Sequence, residues 1–82
     1  MSSAPPDLLS EIGSNLRAER VRRNLTQEAV ARRSGLGVTQ LARMERGETD
    51  SGISKYLRVA AAIGIEPTEI FRGIQLEVFW AE

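Results

Sequence analysis

The sequence predicts an all-α domain of five short helices, and three observations carry that prediction. Apolar residues recur at helical spacing in one segment after another. Gly, Asn and Thr stand where those segments would stop and start. Residues 27–46 have the layout of a short helix, a glycine turn and a second helix. At 82 residues the chain is expected to hold one hydrophobic core and no second domain.

The first helix is expected over about residues 8–23, where Leu8, Leu9, Ile12, Leu16 and Val21 follow an amphipathic period. Gly13 inside it costs about 1 kcal/mol relative to Ala, which close packing against a neighbour would explain. Asn24 suits a C-terminal turn. Thr26 reads as the N-cap of the second helix, with Glu28 near the positive end of its dipole. That helix runs to Arg33 or Ser34, and Gly35 stops it. A third helix starts after Gly37, turns Leu41 and Met44 inward and ends at Gly47. The polar run 48–52 is a loop. A fourth helix, about residues 54–63, buries Leu57, Val59, Ala60 and Ile63 before Gly64 caps it. Glu66-Pro67-Thr68-Glu69 opens a short fifth helix, with Pro in its first turn. The chain thus divides into a loose arm (1–6), a helical domain (7–72) and a tail (73–82).

Composition removes whole classes of chemistry. There is no Cys and no His, so thiol nucleophiles, disulfides, imidazole bases and the usual zinc sites have no residues to build them. No glycine-rich phosphate loop is present, and neither an enzyme nor a cofactor or metal is expected. No apolar run approaches the roughly 18 residues of a membrane span, and residues 1–6 lack the regions of a signal peptide. A cytoplasmic location without membrane contact is the expectation. The net charge of zero conceals an asymmetry: residues 1–46 hold eight Arg against five acids, and residues 47–82 hold three bases against six acids. Arginine suits bidentate contact with phosphate and guanine, although an Arg-rich helix face is ordinarily just solvated. Spacing has to decide between the two.

Within 27–46, Ala31 is small where two helices would cross, and Gly35 suits the left-handed turn between them. Val30, Leu36, Leu41 and Met44 face one core. This is a helix-turn-helix pattern, whose second helix would lie in a DNA major groove, although plain helical packing gives the same spacing. More specific are the runs Ile12-Gly13, Leu16-Arg17, Arg20, Leu25-Thr26-Gln27-Glu28, Val30-Ala31, Gly35-Leu36, Arg43-Met44-Glu45-Arg46-Gly47 and Val59-Ala60 with Ile63-Gly64-Ile65. In that order they resemble the phage repressor/Cro family, also called the xenobiotic-response-element family of regulators, over about residues 8–72.

The resemblance implies a five-helix repressor-like domain that binds double-stranded operator DNA, and it assigns roles residue by residue. Val38, Thr39 and Arg43 match the base-reading positions of the recognition helix, with Arg43 suited to guanine O6 and N7. Gln27 matches a glutamine that donates to a phosphate from a helix N-terminus. Gln40 and Arg46 suit further phosphate contacts. Arg20 and Glu45 match a structural ion pair between the first and third helices. Arg22, Arg23, Arg32 and Arg33 read as a solvated face, of which one or two could touch phosphate. The sequence departs from the family at Gly37 and Val38, where polar residues are common. It departs again in the acidic stretch Glu48-Thr49-Asp50-Ser51, which opposes phosphate contact.

In the tail, Ile74, Leu76, Val78 and Trp80 alternate with Gln75, Glu77 and Phe79 at the period of a β-strand. A lone strand is an aggregation hazard, so it is expected to pair across a two-fold axis and form a homodimer interface. A helical extension packing Phe79 and Trp80 on the domain's own core is the other reading. A repressor is the expected function. The alternative is an antitoxin that also holds a toxin protein as its partner.

Overall fold

The computed structural model describes residues 8–76. They form α1 (Leu8–Arg22), α2 (Gln27–Ser34), α3 (Val38–Glu45), α4 (Ile53–Ile63) and a 3-10 helix, Pro67–Phe71. Each α-helix ends in the same turn, and the pattern is legible in the hydrogen bonds. At α2, Gly35 is left-handed, its N–H reaches the Arg32 carbonyl, and the Leu36 N–H reaches the Ala31 carbonyl at 2.9 Å. This pairing satisfies carbonyls that the helix itself leaves open. Asn24 plays the same part after α1, with Leu25 N–H on the Arg20 carbonyl. Gly47 does so after α3, with Glu48 N–H on Arg43, and Gly64 after α4, with Ile65 N–H on Ala60. At the other end of α2, Thr26 accepts from the Ala29 N–H at 3.0 Å.

α1 packs on α3 and on the 3-10 helix, and α2 packs on α4. Their shared core is Ile12, Leu16, Val30, Ala31, Leu41, Met44, Tyr56, Val59, Ala60, Ile63 and Ile70. Gly13 explains the closeness of α1 and α3. A Cβ there would land on the backbone carbonyl oxygens of Met44 and Glu45, inside any ordinary contact distance. The α2–α4 contact has its own device. Arg58 Nε donates to the Ser34 carbonyl at 3.0 Å and Arg33 Nη1 to the Ala62 carbonyl at 3.3 Å, so each helix lends a cation to the other's C-terminal end.

Four expectations need correction. The fifth element is a 3-10 helix rather than an α-helix, closed by an i to i+3 bond from Glu69 N–H to the Glu66 carbonyl. In α4 the buried face is Tyr56, Val59, Ala60 and Ile63, while Leu57 is exposed. Those four follow the period i, i+3, i+4, i+7, which Leu57 does not fit. Val21, near the end of α1, is exposed. Among the described residues there is no strand: Ile74 to Leu76 lie in turn and irregular backbone, with Ile74 N–H on the Phe71 carbonyl and the Ile74 side chain half-buried against the core. Val78 and Trp80, like the arm 1–6, lie outside the described residues.

Candidate nucleic-acid interface

α3 has two chemically distinct faces. Leu41 and Met44 are fully buried and Glu45 nearly so, while Val38, Thr39 and Arg43 are exposed. Thr39 and Arg43 are four residues apart and stack on one face. Val38 begins the helix, directly after the extended N-cap Gly37. Gln40 and Ala42 are half-buried at the edges of that face. The outward side of α3 therefore offers a methyl-bearing surface, a hydroxyl and a guanidinium. Those groups can contact a thymine methyl, a base edge and guanine respectively.

Behind that face lies a buried network. Arg20 Nε donates to Glu45 Oε2 at 2.7 Å and Arg20 Nη2 to Glu45 Oε1 at 3.1 Å. Arg20 Nη1 also reaches the Leu25 carbonyl at 2.7 Å, which anchors the turn between α1 and α2. Gln27, at the start of α2, donates through Nε2 to Glu45 Oε1 at 3.0 Å. Glu45 thus ties together α1, α2 and α3. An amide Nε2 carries two hydrogens, and the one not given to Glu45 is the one available to an anion at the helix end.

Just past α3, Arg46 Nε and Nη2 donate to Glu48 Oε2 and Oε1 at 2.8 and 3.1 Å, with both side chains more than half exposed. This hydrogen bond holds the Glu48 carboxyl below its ordinary pKa, against a smaller opposing cost of desolvation; the charges of Arg46 and Arg43 add to the lowering. The acidic loop is itself folded rather than loose. Tyr56 donates from its hydroxyl to the Thr49 carbonyl at 3.0 Å, and Asp50 Oδ1 accepts from the Gly52 N–H at 3.3 Å.

Two groups carry more structure than their residue types announced. The Glu19 side chain is only 2% exposed, and it accepts from Arg22 Nη2 at 2.7 Å, Arg23 Nη1 at 2.5 Å and Arg72 Nη2 at 2.5 Å. The Arg23 hydrogen bond is the chief reason its carboxyl titrates below the ordinary range. Arg22 and Arg23, read as merely solvated, are thus partners of a buried acid. The i+3 and i+4 spacing of Glu19 to these two was a legible signal, whereas Arg72, far along the chain, gave none. Asn15 Nδ2 adds bonds to the Ile70 and Arg72 carbonyls, both at 2.9 Å, and so stitches the end of the 3-10 helix to α1. Beside that seam, Leu8, Ile12, Phe71, Ile74 and Leu76 line an apolar groove of about 330 Å³. Among the described residues no cluster of acids suits a metal, and no helix is long and apolar enough to cross a membrane.

The sequence matches the helix-turn-helix family over residues 16–70, which takes in the whole α1–α3 network and the outward face of α3. The chain belongs to the Cro/C1-type helix-turn-helix family of DNA-binding transcriptional regulators. The regulator is 33% identical, over 64 residues, to the HTH-type transcriptional regulator y4dJ of Sinorhizobium fredii, covering 78% of this chain and 83% of the relative. In structure it resembles the restriction-modification controller protein C.AhdI of Aeromonas hydrophila, with 36% identity and a TM-score of 0.74 over 77% of this chain and 96% of that one. It also resembles the hypothetical transcription factor NHTF from Neisseria, with 27% identity and a TM-score of 0.77 over 98% of this chain and 94% of that one.

Proposed function

We propose that this regulator binds a two-fold operator as a homodimer and represses the genes behind it, its own included. The observation that carries this reading is the division of α3. Every group needed to hold the helix in place lies on its inner side, leaving Val38, Thr39 and Arg43 free on the outer side. In this reading those three contact bases. Gln27, Gln40 and Arg46 contact phosphates and fix the register of the helix in the groove. The similarity to a restriction-modification controller protein supports a controlling role.

One domain offers three base-reading side chains, too few to select an operator among the competing sites of a genome. Two domains about one helical turn apart combine their contacts. The groove of Leu8, Ile12, Phe71, Ile74 and Leu76 is an apolar surface that suits a second copy. Ile74 belongs at once to this groove and to the domain's own packing, so the start of the tail serves both. Footprinting on the DNA upstream of the chain's own gene tests the reading. Two protected half-sites about one turn apart are expected, and no protected site would contradict it. Deletion of residues 74–82 is expected to leave a helical domain that sediments as a monomer and binds operator much more weakly.

A further inference from the structure

The acidic residue beside the recognition helix is placed by the fold, and its placement points to a role. Gly47 is left-handed and closes α3 by the same turn that ends the other helices, which fixes the Glu48 N–H on the Arg43 carbonyl at 2.9 Å. A Cβ on Gly47 would collide with the backbone of Ser10 in α1, so the turn is also pinned from behind. From that fixed position the Glu48 carboxylate meets the guanidinium of Arg46 in a two-pronged pair, Nε to Oε2 and Nη2 to Oε1. A guanidinium fork accepts carboxylate and phosphate in the same geometry. The carboxylate therefore fills the guanidinium fork that a phosphate could otherwise take.

We infer that Glu48 is an internal competitor for the DNA backbone, occupying Arg46 in the free protein and setting how strongly the regulator holds any duplex. The inference rests on the proposed phosphate role of Arg46. Both pair members are exposed, so the pair is weak enough to exchange. Its cost falls on a contact that carries no sequence information, and operator and random DNA are penalised alike.

The test is a set of binding titrations, against an operator duplex and a scrambled duplex, over a range of salt. Glu48→Gln should tighten binding to both by the same factor, on the order of fivefold, without adding the slope of about 0.9 in log affinity on log salt that a further neutralised phosphate would bring, because Arg46 meets the same phosphate in both proteins. In an Arg46→Ala background, the same substitution should gain less than twofold. Circular dichroism checks that each variant is folded. Unchanged or weaker binding by Glu48→Gln would overturn the inference, as would tightening confined to the operator. So would an undiminished gain without Arg46, which would show Glu48 acting directly on the phosphates. If the wild-type protein bound neither duplex, the DNA-binding reading itself would fail. Wild-type binding with an inert Glu48→Gln would remove the competitor alone.

Discussion

Two arginine–glutamate pairs sit back to back at the end of α3. Arg20–Glu45 is buried, extends to Gln27 and the Leu25 carbonyl, and joins three helices. Arg46–Glu48, which begins one residue later, is exposed and, among the described residues, joins nothing beyond its own turn. The bond geometry is nearly the same, yet burial gives the two pairs opposite uses. A charge left alone in the core has no water to turn to, so the inner pair cannot be opened without loss of the fold. The outer pair trades one hydrated partner for another at small cost, so it is free to be exchanged for DNA. The same division separates buried from exposed residues all along α3.

Breaking the inner pair from one side should have the largest effect. Arg20→Ala strands the Glu45 carboxylate with Gln27 as its remaining donor and frees the Leu25 carbonyl, for an expected loss of about 3–5 kcal/mol in urea unfolding. Glu45→Gln should also lower the melting temperature, while the base preference of residual binding stays unchanged. A Glu45→Gln protein with wild-type melting and altered operator preference would move Glu45 to the recognition side. Next comes Gly13→Ala. The added methyl gains about 1 kcal/mol of helix propensity but meets the backbone of Met44 and Glu45. Displacing that backbone should leave a net loss of about 1–3 kcal/mol.

Acid should separate the buried carboxylates from the exposed ones. Glu19 has its carboxyl depressed below the ordinary value of 4.5, first by its hydrogen bond from Arg23. A depressed acid stabilises the fold above its unfolded pKa, and that stability is lost as pH falls through the folded value. Melting temperature should therefore decline as the pH drops below about 4.5, and Glu19→Gln should flatten that decline. Glu48 shifts in the same direction, but its pair is exposed, so Glu48→Gln should alter the acid profile far less. The smallest effect is expected at Gly37. It is the extended N-cap of α3 with open space at its Cβ, and Gly37→Ser should raise stability by only a few tenths of a kcal/mol.

The sequence made the helices legible because their ends are local chemistry. Thr26, Asn24, Gly35, Gly47 and Gly64 act within a few residues of themselves, and the structure places each at its helix end. Burial in α4 was misread because Leu57 is more apolar than Tyr56, whereas the helix period selects Tyr56, and its hydroxyl finds the Thr49 carbonyl. The pairing of Glu19 with Arg72 is a contact between distant parts of the chain, and nothing in the spacing of the two residues indicates it. Of the strand expected in the tail, only residues 74–76 are described, and they form no strand. Alternation describes side chains, but the half-buried groove beside α1 holds Ile74 in a turn. At the interface, residue type identified the candidates on α3. That Gln27 leans on Glu45, and Arg46 on Glu48, emerges only from the folded geometry.

In the proposed function, the outer face of α3 reads sequence while its inner face only holds the helix. Parallel titration of wild-type and Arg43→Ala proteins against operator and scrambled duplexes, with melting curves for both, tests it most directly. An unchanged melting temperature is expected, with a loss of roughly 1–3 kcal/mol on the operator, little change on scrambled DNA, and preference relaxed at one base pair in each half-site. An equal loss on both duplexes would make Arg43 a backbone contact and contradict the claim.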